Sequence, residues 1–205
     1  MEEYAAWAKA LGYVKVSDSE IDSAAFDAAE RLYVQNKKQE AKVALEKYLK
    51  DYPKGTGASQ AEFYLAQIYF DENQKDKALP LYEKVLAQGR NEYSEQVLVR
   101  LSNIYLEKED TDKVLPLLEE IEKTSSVAQN LIFARSNLMK AFYKKKEHAK
   151  AIVYAKKILA EKGADNRLKN DARVIMARAY MATGDEAEAE KQYAEVRKTA
   201  SDALM

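Results

Sequence analysis

Cysteine is absent from this 205-residue chain, which excludes disulfides and thiolate metal sites. Three prolines and six glycines are too few for a many-turned all-β chain and point instead to long helices. Tryptophan and histidine occur once each, as Trp7 and His148. With no second imidazole, no thiolate and no clustered carboxylates beside it, His148 has no metal-ligand set. No phosphate loop, nucleophile elbow or dinucleotide fingerprint occurs, and the carboxylates fall at helix positions that read as solvated. The expectation is a chain with no catalytic residues, cofactor, metal or small-molecule substrate.

Long apolar runs are missing too, none approaching the roughly 18–20 residues of a membrane-spanning helix, so this segment is not expected to insert in a membrane. The opening "MEEYAAWAKALGYVKV" is acidic and lacks the basic start and apolar core of a signal peptide. Because the chain opens mid-pattern and stops abruptly at "TASDALM", it reads as a fragment of a longer protein. A net charge of −1 and a pI near 6.1 give the whole chain no bias toward nucleic acid or anionic membrane.

What is present is a repeat. Hydrophobic residues make up 47% and charged residues 33%, enough for both a core and a solvated surface. The stretches "QEAKVALEKYL", "DKALPLYEKVL", "DKVLPLLEEIE", "AKAIVYAKKIL" and "AEAEKQYAEVR" share one pattern. Each carries an anchor (Ala41, Ala78, Val114, Ala151, Ala189), at spacings of 37, 36, 37 and 38. Four residues on comes Leu45, Tyr82, Leu118, Ala155 or Tyr193, and three further Tyr48, Val85, Ile121, Ile158 or Val196. Such steps put the side chains on one helical stripe. Twelve residues before each anchor lies Ala29, Ala66, Ser102, Met139 or Ala177, and three later Leu32, Tyr69, Tyr105, Phe142 or Tyr180.

Two helices per 36–38 residues mark a helical solenoid. Local signals agree. "SDSE" at 17–20 fits a capping box. Gly184 suits a helix end, and Gly55 and Gly57 suit a turn needing positive φ. Pro80 and Pro116 are placed just inside second helices, where backbone N–H groups have no intrahelical acceptor. "ALGYVKVSDS" reads as a short helix ending at Gly12 and then a linker, with Trp7 packing on the first repeat or on a lost upstream one.

Over residues 22–198 the pattern resembles the tetratricopeptide repeat family, a small residue followed by an aromatic three later and a second small residue nine beyond. The resemblance implies an all-α fold, a right-handed α-α superhelix of about five helix pairs. The units fall at about 22–55, 59–91, 95–125, 130–164 and 168–199, within a solenoid of residues 19–199. A short helix and linker occupy 1–18 and a truncated tail 200–205. The usual Trp is missing from every first helix, only Gly184 keeps the turn glycine and only Pro53 the closing proline.

The block "AAERLYVQNKKQEAKVALEKYLKDYPKGTGASQAEFYLAQIYF" is similar to repeat proteins of the Gram-negative envelope. These are the Tol-Pal-associated periplasmic protein, the outer-membrane assembly lipoprotein and long repeat proteins of Bacteroides-type bacteria. That resemblance implies a periplasmic location, with the cytoplasm as the alternative.

On each first helix, repeat positions 4, 7, 8 and 11 form one stripe and positions 2, 5, 6, 9, 12 and 13 another, nearly opposite. In the resembling family the second stripe lines a concave groove that binds protein or peptide partners. The implied groove residues are Tyr33, Phe63, Tyr64, Phe70, Arg100, Asn103, Asn137, Lys140, Tyr143 and Arg178, with Phe26, Leu106 and Lys144 on the same stripe. Position 9 (Glu30, Gln67, Asn103, Lys140, Arg178) drifts from acidic to basic. The alternative is that position-12 residues pack between neighbouring first helices. No unit carries the Lys/Asn pair with which the family's carboxylate clamp begins, which argues against capture of a free C-terminus by that means.

Charge is uneven. Residues 132–169 hold eleven Lys/Arg against three Asp/Glu, and residues 92–124 hold four against nine. This contrast could steer a partner, or pair with another copy if the repeats serve as a spacer or self-assembly module. Nucleic-acid binding through the lysines of the fourth repeat is a third alternative, though no nucleic-acid module is recognisable.

Overall fold

The computed structural model describes residues 7, 10–12 and 17–202. Ser17 opens the first long helix as the capping box requires. Its Oγ accepts from the Glu20 amide at 3.2 Å, and the Glu20 carboxylate accepts from the Ser17 amide at 2.7 Å. From there the described residues form ten long α-helices: α1 (Asp18–Val34), α2 (Lys38–Asp51), α3 (Ala58–Asp71), α4 (Lys75–Ala87), α5 (Ser94–Glu107), α6 (Thr111–Thr124), α7 (Ala128–Lys144), α8 (His148–Ala160), α9 (Asn166–Thr183) and α10 (Glu186–Asp202). Pairs α1/α2, α3/α4, α7/α8 and α9/α10 pack as hairpins.

The described residues fall into two compact units, divided between Ile104 and Tyr105 inside α5. In the first, α1 and α2 both pack on α3; in the second, α6 packs on α7, and α7 and α8 both pack on α9.

The repeat anchors are the core. Ala29, Ala41, Leu45, Ala66, Ala78, Tyr82 and Val85 are buried in the first unit, and Leu118, Ile121, Met139, Ala151, Ala155, Ile158 and Ala177 in the second. Small residues at the anchors let the helices approach closely, and the branched and aromatic residues between them fill the space. On α10, Tyr193 and Val196 are only half-buried.

Five helix-to-helix turns share one geometry. Asn36, Asn73, Glu109, Lys146 and Gly184, at one repeat position, have φ of 58°, 58°, 55°, 62° and 83°. The next amide, that of Lys37, Gln74, Asp110, Glu147 or Asp185, donates to the carbonyl five residues back at 2.7–3.0 Å. This satisfies a carbonyl the helix end would leave open. The left-handed turn therefore forms with or without glycine, at a steric cost largest for Glu109 and Lys146.

Gly55 and Gly57, in contrast, do not have the positive φ expected of them. Space is the reason for glycine here. A Cβ on Gly57 would run into the Phe26 ring, and one on Gly55 into the Asp22 carboxylate and the Tyr48 phenol.

The prolines also differ from expectation. Pro80 and Pro116 are each the sixth residue of their helix, past the positions whose N–H is free. Each helix forgoes one backbone bond, on its exposed side.

At the N-terminus, Gly12 has φ 71° and the Leu11 amide donates to the Trp7 carbonyl at 3.1 Å. Trp7 itself is 55% exposed. Residues 1–6, 8, 9 and 13–16 of the expected 1–18 segment lie outside the described residues, as does the tail from 203.

Candidate functional site

In the first unit, the face of α1, α3 and α5 left over from hairpin packing carries aromatic rings. Tyr33 stacks on Tyr64, with centroids 4.1 Å apart and planes at 18°, and Phe63 stacks on Tyr93 at 4.3 Å and 22°. Tyr93 meets Tyr64 edge-on at 6.3 Å, joining the two stacks into one row. The Gln60 amide donates to the Glu30 carboxylate and to the Tyr64 hydroxyl, both at 2.8 Å, and Tyr64 donates to Glu30 at 3.0 Å. Burial, followed by the influence of Tyr64 and Asp71, raises the Tyr33 phenol above its ordinary value. Burial also raises Tyr64, and burial followed by Glu92 raises Tyr93. These rings therefore present neutral hydroxyls through the physiological range.

Phe70 lies beyond this row, with the Arg100 guanidinium 4.5 Å from its centroid and the Lys75 ammonium at 5.5 Å. Asn103 donates to the carbonyl of Val99 at 3.0 Å and is half-buried.

Two residues of the expected groove stripe are not open to a partner. Phe63 is only 5% exposed because Tyr93 covers it, and Phe26 is buried against Tyr48 at 5.5 Å and against Gly57. A phenylalanine in either place serves the junction with the following repeat. The position-9 charge gradient is likewise broken, since Gln67 is buried and accepts the Tyr82 hydroxyl at 2.5 Å. Tyr93 was missed because it precedes α5 and lies outside any periodic stripe. Its signal was the turn "NEYS", where Asn91 Oδ1 accepts from the Tyr93 amide at 2.9 Å and Ser94 Oγ from the Asn91 amide at 2.8 Å.

In the second unit, Asn137 and Lys140 come together in a cavity of about 260 Å³, along with Leu106 and Lys144. Asn137, Lys140, Ala141 and Lys144 follow the three-and-four spacing of one face of α7. Tyr105, Leu106 and Val114 form an apolar floor, with Glu109 and Thr111 at the turn into α6. Tyr143 lies outside the cavity, its ring 5.6 Å from His148, and Arg178 is an exposed residue of α9 that does not line it either.

The charge contrast of the sequence is partly resolved within the chain. Glu122 accepts Arg135 Nε at 2.7 Å and Lys157 Nζ at 2.6 Å, and Arg135 also pairs with Glu161. Burial opposes the charge on Glu122, but these partners outweigh it and hold its carboxyl below the ordinary value. Lys145 pairs with Asp112 at 3.4 Å and Lys150 with Glu147 at 2.6 Å.

Not every carboxylate is solvated. Glu62 is 6% exposed, with Gln88 donating to it at 3.0 Å and Lys84 3.6 Å away, and Asp22 is buried as well. Among the described residues no group of three or more His, Asp or Glu is placed to hold a metal ion, and no helix is long and apolar enough to cross a membrane.

The described geometry has counterparts among known proteins. MamA of AMB-1 is 18% identical, covering 88% of this chain and 92% of that one, with a TM-score of 0.64. YrrB, described as a TPR protein with an unusual peptide-binding site, is 16% identical over 88% of this chain and 87% of its own, with a TM-score of 0.63. At these identities the likeness concerns the fold alone, an all-α repeat superhelix. No curated protein matches the sequence. The family described as tetratricopeptide repeat-like domain matches residues 3–131, more than half of the chain. With the five-fold repeat register and its shared turn, that match establishes that the chain belongs to the tetratricopeptide repeat-like family.

Proposed function

We propose that this chain is a protein-interaction scaffold that binds a partner protein or peptide along the first-helix faces of its repeats. The observation that carries this reading is the side chains left over from the core on that face. They are half-buried rings (Tyr33, Tyr64, Tyr93) in one unit, and an amide and two ammonium groups (Asn137, Lys140, Lys144) around a cavity in the other. Mutual stacking and hydrogen bonding fix the rings before a ligand arrives, so little side-chain entropy remains to be lost on binding. The peptide-binding site named for YrrB supports the same use of the fold.

Nothing in this face offers a nucleophile with an adjacent base, which favours binding over catalysis. A periplasmic setting in a larger envelope protein is part of the proposal and rests on the resemblance of residues 28–70. Self-association through the acidic and basic repeats is the weaker reading, because Glu122 and Asp112 already pair with Arg135, Lys157 and Lys145 of the same chain.

A random peptide library panned on the chain tests this function. Enriched peptides should bind at least several-fold more weakly to Tyr64→Ala or Asn137→Ala. Peptides that bind both variants as tightly as the unaltered chain would place recognition elsewhere.

A further inference from the structure

The cavity of the second unit points to a narrower class of ligand. Four of the nine cations of this repeat have carboxylate partners: Arg135 and Lys157 on Glu122, Lys145 on Asp112, Lys150 on Glu147. Lys140 and Lys144 have no ion pair among the described residues, and both line the cavity. Glu109 shares the cavity but lies beyond ion-pair distance of either. Two unneutralised ammonium groups beside an apolar floor favour an anion with an apolar stem.

Their spacing limits the ligand further. Four residues apart on α7, their backbone positions are separated by a rise of about 6 Å. Side chains on one face of an extended chain recur every two residues, about 6.5–7 Å apart. A helix is about 10–12 Å across with its side chains, so only one face of it could enter a cavity of about 260 Å³, and its backbone groups are already paired within the helix. One turn before Lys140, the Asn137 amide donates once to the Phe133 carbonyl at 2.8 Å, and its other donor and its oxygen can meet a peptide backbone.

We infer that this cavity binds an extended internal segment of a partner protein that presents two carboxylate side chains, Asp or Glu, separated by one residue. The inference rests on the scaffold reading and names its ligand. Lys140 and Lys144 bind the two carboxylates, Asn137 aligns the backbone, and Glu109 opposes a third negative charge, limiting how acidic the segment can be.

Fluorescence anisotropy with short peptides, acetylated and amidated at their ends, provides the test. A Glu-Xaa-Glu peptide should bind about tenfold more tightly than its Gln-Xaa-Gln counterpart, as two exposed ion pairs would give. The preference should disappear in Lys140→Ala/Lys144→Ala, grow in Glu109→Gln, and weaken as salt is added. Both lysines are exposed, and circular dichroism would verify that the double variant stays folded.

Equal binding of the Glu and Gln peptides, an unchanged preference in the double variant, or a requirement for a free C-terminal carboxylate would each overturn the inference. Neutral or aromatic peptides that bind regardless of Lys140 and Lys144 would overturn it while leaving the scaffold reading intact. Failure of acidic, neutral, aromatic and basic peptides alike would count against both.

Discussion

The phenol of Tyr48 donates a 2.6 Å hydrogen bond to the buried carboxylate of Asp22 and accepts one from the Gly57 amide at 3.0 Å. The other oxygen of Asp22 accepts the Thr56 amide at 2.8 Å and its hydroxyl at 3.1 Å. These bonds tie α1 and α2 to the loop "YPKGTG", so two groups inside the first repeat set where the second begins. Tyr48→Phe would leave the Gly57 amide and the Asp22 carboxylate each short of a buried partner. The expected loss is about 1–3 kcal/mol, read as a lower urea midpoint. Gly57→Ala should also destabilise, because its methyl would need the space of the Phe26 ring.

Asp22 should also make the fold sensitive to acid. Burial works against its charge, but the bonds from Tyr48 and Thr56 outweigh burial and hold the carboxyl below its ordinary value. A depressed folded pKa contributes stability above the unfolded value, near 4, and that contribution is lost as pH falls through the folded value. Urea midpoints measured from neutral pH downward should therefore fall less steeply in Asp22→Asn than in the unaltered chain. Parallel curves would remove Asp22 as the cause.

The left-handed turns make a prediction of opposite sign. Glu109 and Lys146 hold a conformation that costs an ordinary side chain roughly 1–2 kcal/mol, whereas asparagine at Asn36 and Asn73 tolerates it better. Glycine removes the steric cost but adds freedom to the unfolded chain. Glu109→Gly and Lys146→Gly should each stabilise by about 0.5–1 kcal/mol, Asn36→Gly should be near neutral, and Gly184→Ala should destabilise. Thermal melts of the four variants would rank them, and a different order would refute the strain argument.

The turns also show what the sequence could and could not reveal. The anchors from Ala29 to Ala189 were legible because a recurring period reports directly on which stripe is buried. Only one of the five turn positions carries glycine, so their shared backbone geometry has no residue-level signature. The spacing of Asn137 and Lys140 puts them on one face of α7, but the cavity that both line also needs Leu106, Glu109 and Val114, which no single-helix pattern connects. Phe63 reads as a groove residue because its cover, Tyr93, comes from the loop before the next repeat. Arg135 and Glu62 occupy the stripe that packs on second helices, where charge reads as misplaced until its distant partners are known.

Arg135 supplies the fourth prediction. Its side chain is 16% exposed and that of Glu122 is 12% exposed, so removal of the guanidinium leaves two carboxylates, Glu122 and Glu161, without it. Arg135→Met should cost about 3 kcal/mol. Combination with Glu122→Leu should recover much of that loss, because a well-packed apolar pair needs no desolvated charge. A double-mutant cycle by urea denaturation measures the coupling. Additive losses would mean that Arg135 acts through packing alone.

Seven tyrosines link the fold to alkaline pH. Burial, followed by the bond to Asp22, pushes Tyr48 up to about 12, and burial followed by the bond to Glu46 does the same for Tyr69. Burial also raises Tyr33, Tyr64, Tyr82, Tyr93 and Tyr154. Unfolded tyrosine ionises near 10. Between about 10 and 12 the unfolded chain therefore releases phenol protons that the folded chain retains, and stability falls as pH rises. Tyrosinate absorbance should lag behind that of free tyrosine and then rise together with loss of helical circular dichroism. Tyr48→Phe removes one of these phenols, so its stability should decline less steeply with pH above 10, even though its neutral-pH stability is lower. A smooth titration completed while the helices remain intact would show that these phenols are open to solvent and do not support the core.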